Sequence, residues 1–218
     1  MKKKIILVGC GEHARMVMDN IEDQGVFEIF GLTTHLDAEL GKKIYGYSVV
    51  CKDDEIPRLL KENPDIEGYF LGVGNMKTRS RLYPELDRIL PAVSVIHPAT
   101  VISRHATIGK GNLIEAYVKV ANGATLGDHC IINTFSAVNH DQTLGNNVLI
   151  AGNVSMAGKR IGQNTIIADG ASIGFKKSVG RNCIVGDGAV VTKDLPDNVV
   201  AYGNPARVVR SNNWPVES

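Results

Sequence analysis

The chain has 218 residues, of which 44% are hydrophobic and 22% charged, with a formal net charge of +1. That balance suits one or two folded domains, and it offers no global charge for nucleic acid or an anionic membrane. Apolar runs such as Ile5 to Val8 are far too short to span a bilayer, so no membrane partner is expected. The run after Met-Lys-Lys-Lys stops at Gly9-Cys10-Gly11, which argues against a secretory signal. Cys10, Cys51, Cys130 and Cys183 are far apart and show no CxxC pairing, and the chain reads as cytoplasmic.

The first ninety residues alternate between strand and helix patterns. Lys4–Val8 is a short apolar strand, and Glu12–Gln24 is a helix with Ala14, Val17, Met18 and Ile21 on one face. Glu28–Thr33 reads as a second strand. Asp53–Asn63 reads as a helix that carries Ile56, Leu59 and Leu60, with Asp53 and Asp54 as capping residues. Tyr69–Val73 is a third strand, and Lys77–Leu90 a third helix, interrupted at Pro84. Such alternation predicts a small parallel sheet.

Gly9-Cys10-Gly11-Glu12-His13-Ala14 follows the first strand and opens the first helix, a GxGxxA turn in its proper context. Glycines there allow a tight turn and let a phosphate reach backbone N–H groups at a helix N-terminus. A dinucleotide site also needs an acidic residue near the end of the second strand. The chain has Thr33-Thr34-His35 there, and Asp37 comes late. A nucleotide-linked substrate ranks first, a structural turn second, and NAD last.

From Ile96 onward an aliphatic residue recurs at every sixth position. The slots are Ile96, Ile102, Ile108, Ile114, Val120, Leu126, Ile132, Val138, Leu144, Ile150 and Met156. After one five-residue step they resume at Ile161, Ile167, Ile173, Val179, Val185 and Val191. Small residues such as Ala106, Ala124, Cys130, Ala171, Cys183 and Ala189 sit two positions before many slots, and Gly109, Gly127, Gly145, Gly162, Gly174, Gly180 and Gly186 follow slots directly. The period is neither helical nor that of a simple strand, so it marks stacked repeats whose core is completed only by neighbouring repeats. Each slot points inward and is worth roughly 1.5–3 kcal/mol when buried. The glycines are expected to relax the backbone at corners. Pro91 and Pro98 bracket the entry to the repeat, and the tail after Lys193, with Pro196, Pro205 and Pro215, reads as a loop or cap.

Six histidines could carry chemistry: His13, His35, His97, His105, His129 and His140. Most histidines on a surface corner are merely solvated, and a metal site would need three to converge. No two in the repeat lie close together in sequence, so no metal is expected. His140 stands out because it lies two residues past the Val138 slot, turned away from the interior, with Asp141 next to it. A carboxylate beside an imidazole orients it and stabilises the imidazolium formed during proton transfer.

The hexad pattern, the GxGxHA opening, Gly72-Val73-Gly74-Asn75 with Arg79, the string Asn133…Asn139-His140-Asp141 and the closing Gly203-Asn204-Pro205-Ala206-Arg207 together resemble the bacterial sugar acyltransferases. These include sialic acid O-acetyltransferases and N-acetyltransferases of UDP-linked 4-amino sugars. The resemblance implies an α/β, Rossmann-like N-terminal domain at 1–92 for the acceptor. It implies a left-handed parallel β-helix at 93–195 and a C-terminal cap at 196–218. It implies acetyl-CoA as co-substrate, a nucleotide-linked amino sugar as acceptor, and a homotrimer with active sites between subunits. Within it, His140 is the base with Asp141 as its partner, and Asn133 and Asn139 bind substrate. Gly9, Gly11, His13, Thr33, Thr34, Asn75 and Arg79 fall near the acceptor nucleotide, and Gly158, Ala168, Gly188, Pro205 and Arg207 near acetyl-CoA. Lys159, Arg160, Lys176 and Lys177 could add charge for the CoA phosphates. The chain departs from the family pattern at Thr33-Thr34, where UDP binders carry paired Asp, at Leu149, where a second histidine is common, and at Gly158-Lys159-Arg160-Ile161, which is one residue short. Rival readings are O-acetylation of a free sialic acid and a non-catalytic β-helix binding subunit.

Overall fold

The computed structural model describes residues 2–213, and the expectation for Pro215 lies outside them. The chain divides between His97 and Pro98 into two compact units.

In the first unit, strands β1 (Lys3–Val8), β2 (Phe27–Thr34), β3 (Lys43–Ile44), β4 (Tyr47–Lys52) and β5 (Ile66–Leu71) form one sheet in the order β3-β4-β2-β1-β5. All pairings are parallel except the β3–β4 hairpin at the edge. Alternation along β1 sends Ile6 and Val8 into a core with Ile56, Tyr69, Leu71 and Leu86. Ile5 and Leu7 are equally buried on the other side. Helix α1 (Glu12–Gln24) buries Ala14, Val17, Met18 and Ile21, the face its spacing predicted, and ends at Gly25 in the left-handed conformation.

Three expectations for this unit need correction. The β3–β4 hairpin was not anticipated; it turns at Tyr45 and Gly46, both at positive φ (50° and 91°), the backbone that a two-residue hairpin requires. The second helix is shorter than Asp53–Asn63: a 3-10 turn at Asp53–Glu55 precedes α2 (Ile56–Glu62). Asp53 caps nothing, because the Lys52 N–H donates to Glu55 Oε2 at 2.9 Å instead. Helix α3 runs Met76–Leu86 rather than to residue 90, and Pro84 sits inside its last turn.

The second unit is a stack of two-residue rungs on three parallel sheets. One face carries Val101–Ile102, Lys119–Val120, Ala137–Val138, Ser155–Met156, Ser172–Ile173 and Val190–Val191. A second carries Thr107–Ile108, Thr125–Leu126, Thr143–Leu144, Arg160–Ile161 and Ser178–Val179. The third includes Leu113–Ile114, Ile131–Ile132, Leu149–Ile150, Ile166–Ile167 and Ile184–Val185. This is a left-handed parallel β-helix. Every slot from Ile114 to Val191 is at most 1% exposed, whereas Ile102 and Ile108, in the first coil, are only half-buried. Cys130 and Cys183 are fully buried small-slot fillers. The tail is more ordered than a loop: Val199–Tyr202 extends the third sheet in parallel and pairs antiparallel with Arg207–Ser211.

The glycines act differently from expectation. At the corners between the second and third faces, Gly127, Gly145 and Gly162 do not have positive φ. A Cβ at Gly145 would lie 2.7 Å from Gln163 N, and one at Gly162 2.4 Å from Arg181 N. Absence of a side chain therefore lets successive coils approach. His129 is the left-handed residue of the Gly127 corner, and in the corners that follow it is Asn147, Asn164, Asn182 and Asn198, a residue type that tolerates this conformation. Their side chains form a ladder, Asn147 Nδ2 to Asn164 Oδ1 at 2.9 Å, Asn164 Nδ2 to Asn182 Oδ1 at 3.2 Å and Asn182 Nδ2 to Asn198 Oδ1 at 2.8 Å.

Candidate functional site

Each unit carries one cleft rich in the residues singled out above. In the first unit a cleft of about 1070 Å³ opens at the C-terminal ends of the strands and is lined by Gly9, Gly11, His13, Thr34, Asp53 and Asn75 among others. Gly9 has φ +103°, and a Cβ there would meet Val73 Cγ2 at 3.0 Å, so the turn demands glycine. Around Gly11, by contrast, nothing among the described residues lies within 4 Å of a Cβ position, which leaves the start of α1 open. Asn75 Oδ1 accepts from Thr78 N–H at 3.0 Å and caps α3. Arg15, Lys43 and Arg81 bring positive charge to the cleft wall.

Two residues expected to line a nucleotide site are buried beneath the cleft instead. Arg79 is fully buried, and its Nη1 donates to the carbonyls of Leu71 (2.8 Å) and Val73 (3.0 Å). A guanidinium in that position ties down the chain as it leaves β5 and supports Gly72–Asn75 from behind. Thr33 is also fully buried: its Oγ1 donates to Asp53 Oδ1 at 2.5 Å and accepts from Gly9 N–H at 3.4 Å. Sequence reasoning took Asp53 for a helix cap because it missed β4, the strand that delivers this carboxylate beside β2; the signal was the Tyr45-Gly46 turn. Burial, and secondarily the Arg79 charge, push the His13 imidazole down to about 4, so it is neutral at physiological pH. Its Nε2 is buried and has no hydrogen-bond partner among the described residues.

In the second unit a cleft of about 640 Å³ is lined by Asn139, His140, Asp141, Ala157, Gly158, Lys159, Phe175 and Lys176. These come from three successive corners between the first and second faces. The corners at 139–142 and 174–177 hold four residues, and the one between them, 157–159, holds three. The five-residue step in the hexad pattern thus shortens a corner and recesses it between its neighbours, which makes the cleft. Gly158 fits there because a Cβ would lie 2.7 Å from Lys177 O and 2.8 Å from Ile173 Cγ2. Among the described residues the Gly158 N–H has no acceptor, whereas those of Ala157 and Lys159 donate to Ile173 O and Lys177 O.

At the mouth of this cleft His140 Nδ1 lies 2.9 Å from Asp141 Oδ2, with both side chains exposed. Asn139 serves as a brace: its Nδ2 donates to Met156 O at 2.5 Å, and its N–H donates to Oε1 of the fully buried Gln142 at 3.3 Å. Gln142 and Phe175 were not anticipated. Asn133 does not join them, since it opens the corner at 133–136, on a different edge of the prism. Ala168 and Gly188 lie on that other edge too, where the Gly188 N–H donates to Asp169 O at 2.8 Å. Pro205 and Arg207 are exposed in the terminal hairpin. Among the described residues no group of His, Cys, Asp and Glu could hold a metal ion.

Residues 4–86 match the model of the PglD N-terminal domain, and residues 105–140 that of the bacterial transferase hexapeptide (six repeats). No curated protein sequence gives a match. Solved structures do. Perosamine N-acetyltransferase from Caulobacter crescentus, with one histidine replaced by asparagine and in complex with CoA and GDP-perosamine, is 28% identical, with a TM-score of 0.88 over 95% of this chain and 97% of that one. The acetyltransferase domain of PglB from Neisseria gonorrhoeae, in complex with acetyl coenzyme A, is 28% identical, with a TM-score of 0.85 over 96% of this chain and 100% of that one. WeeI from Acinetobacter baumannii is 25% identical, with a TM-score of 0.72 over 94% of this chain and 99% of that one. With its glycine-turn domain and its repeat matched separately, and both together covered by these neighbours, the chain belongs to the hexapeptide-repeat sugar acyltransferases built on a left-handed β-helix.

Proposed function

We propose that this protein is an acetyl-CoA-dependent N-acetyltransferase whose acceptor is a nucleotide-linked amino sugar. The observation that carries the reading is the His140–Asp141 pair at the mouth of a cleft with a free N–H at Gly158 on its wall. With Nδ1–H directed to Asp141, Nε2 of His140 keeps its lone pair and takes a proton from the acceptor amine as the amine attacks the thioester carbonyl. The Gly158 N–H donates to the carbonyl oxygen as it gains negative charge. Collapse breaks the C–S bond, the proton on His140 passes to the CoA thiolate, and N-acetyl sugar and CoA leave. The Caulobacter and Neisseria neighbours, an N-acetyltransferase bound to CoA and a nucleotide-linked amino sugar and an acetyltransferase bound to acetyl-CoA, support the same pairing of substrates.

In the first unit, the cleft at Gly9–Gly11 receives the nucleotide diphosphate, through N–H groups at the start of α1 and the charges of Arg15 and Arg81. The active assembly is a homotrimer. Gly158 and His140 lie on one edge of the prism and Ala168 and Gly188 on another, so one extended CoA reaches both when edges of two copies lie together. That second edge carries Tyr117 and Phe135, both more than 60% exposed and stacked at 5.2 Å, an apolar surface suited to a subunit contact. Light scattering of the purified protein should give three copies, and a monomer would overturn the assembly.

The deciding assay is thiol release from acetyl-CoA with UDP-, GDP- and dTDP-linked amino sugars and free sialic acids, with His140→Ala as control. Turnover with an amino-sugar nucleotide, lost in the variant, is the expected result. Turnover only with sialic acid would move the assignment to O-acetylation. Sugar-nucleotide binding without thiol release would favour a binding subunit.

A further inference from the structure

We propose that Asp53 is the residue through which the glycine-turn cleft selects its nucleotide, and that the base it selects is guanine; this rests on the nucleotide-sugar reading above. The strand order places β4 on the far side of β2 from β1. A diphosphate on the Gly9–Gly11 turn at the end of β1 therefore directs its ribose toward the end of β2 and its base toward the end of β4. Each step is about 4.8 Å, the spacing between strands.

At the end of β2 no hydroxyl is offered to the base. Thr33 is fully buried between Gly9 and Asp53, and Thr34 is 2% exposed, with its Oγ1 accepting from the Leu36 N–H at 3.1 Å. The polar group that reaches the cleft from β4 is the Asp53 carboxylate, half-buried, with Oδ1 held by Thr33 and Oδ2 free of any partner among the described residues. Leu36 and Ile44 line the same cleft and provide apolar surface for a ring. Asp53 is thus pinned, on one side, to the backbone that takes the diphosphate, and its distance from that backbone is set by a buried hydroxyl.

An ionised carboxylate accepts hydrogen bonds and cannot donate them. Guanine presents two adjacent donors, N1–H and N2–H, which a carboxylate meets with both oxygens, as it meets a guanidinium. Uracil and thymine present one N–H between two carbonyl oxygens, and adenine and cytosine present an amino group beside an unprotonated ring nitrogen. Against those edges a carboxylate makes one bond and places negative charge against an acceptor, which discriminates by repulsion as well as attraction.

The test is calorimetric titration of the full-length protein with GDP, UDP, dTDP, ADP and 2′-deoxy-GDP, for wild type and Asp53→Asn. GDP should bind about tenfold to a hundredfold more tightly than the other bases, the discrimination expected of one bidentate contact. ADP separates recognition of the base edge from recognition of ring size. Asp53→Asn, which puts an amide donor against guanine's donors, should weaken GDP by a similar factor and leave UDP unchanged or bound more tightly, since the repulsion against its carbonyl oxygens is gone. Equal binding of all bases, or a preference for UDP, dTDP or ADP, would overturn the proposal while leaving the nucleotide-sugar reading intact. So would equal loss of GDP and UDP in the variant, or a loss with 2′-deoxy-GDP as large as that in the variant, because Asp53 would then hold ribose. Binding of no nucleotide would overturn both readings together. The wild-type preference needs no variant, so the result stands even if Asp53→Asn does not fold.

Discussion

His140 Nδ1 lies 2.9 Å from Asp141 Oδ2, and Asp141 itself sits in the left-handed region at φ +57°. The corner geometry turns the carboxylate of one residue back onto the imidazole of the residue before it. A neighbouring pair in extended backbone would point to opposite sides. His140→Ala should therefore lower kcat by about 10²–10⁴-fold, the usual worth of a positioned general base, with an unchanged thermal melt. Unchanged turnover in the acetyl-CoA assay would remove His140 from the mechanism.

Asp141→Asn keeps an oxygen that can accept from Nδ1–H and a residue type that tolerates positive φ, but it loses the charge that stabilises the imidazolium. A drop in kcat smaller than that of His140→Ala is expected, with little change in stability. Asp141→Ala adds backbone strain of about 1 kcal/mol. A comparison of kcat with melting temperature for the two variants separates chemistry from strain.

Gly158→Ala places a methyl group 2.7 Å from Lys177 O and 2.8 Å from Ile173 Cγ2. Backbone and core atoms cannot swing aside as a surface side chain would, so the three-residue corner must move and carry its N–H with it. We expect at least a tenfold loss of kcat, on the scale seen when an oxyanion donor is displaced, together with a lower melting temperature. Full activity in a folded variant would show that this N–H is not the donor.

The His13 value predicts a pH dependence with a defined sign. The folded imidazole is pushed down to about 4 and the unfolded one titrates near 6.5, so the unfolded state binds more protons between these values. Stability is complete above the unfolded value and is lost as pH falls toward the folded one, by about 2 kcal/mol at pH 5. Urea unfolding at pH 7 and pH 5 should show that loss in wild type and a smaller one in His13→Gln. Equal slopes would mean that His13 is not held neutral.

Gly162→Ala and Asn164→Gly should separate two roles within one coil. The first drives a Cβ to 2.4 Å from Arg181 N and should cost several kcal/mol or prevent folding. The second keeps a backbone that accepts φ +57° and loses the two ladder bonds, which costs about 1–2 kcal/mol. Thermal melts of both variants check the order, and a reversal would mean that the ladder, not the close approach of coils, holds the stack.

Much of the β-helix was legible because its period is local. An inward slot every sixth residue needs no knowledge of distant partners, and the slots from Ile114 to Val191 are buried as the pattern requires. The five-residue step was equally visible. That it recesses Gly158 between two longer corners and opens the cleft beside His140 required three coils stacked in space. Which residues satisfy the corners also escaped the pattern, because glycine and asparagine divide the work according to the coil above rather than their own place in the hexad.

The sequence by itself determined the repeat, the glycine turn at the head of α1 and the His140–Asp141 pair, since each is written in residues close together in the chain. Tertiary structure alone decided that Arg79 is a buried brace, that Thr33 faces a carboxylate instead of the cleft, and that Asp53, nineteen positions past Thr34, stands beside it. Parallel strands bring together residues from separate stretches of chain, and the choice of neighbours depends on strand order, which no local pattern encodes.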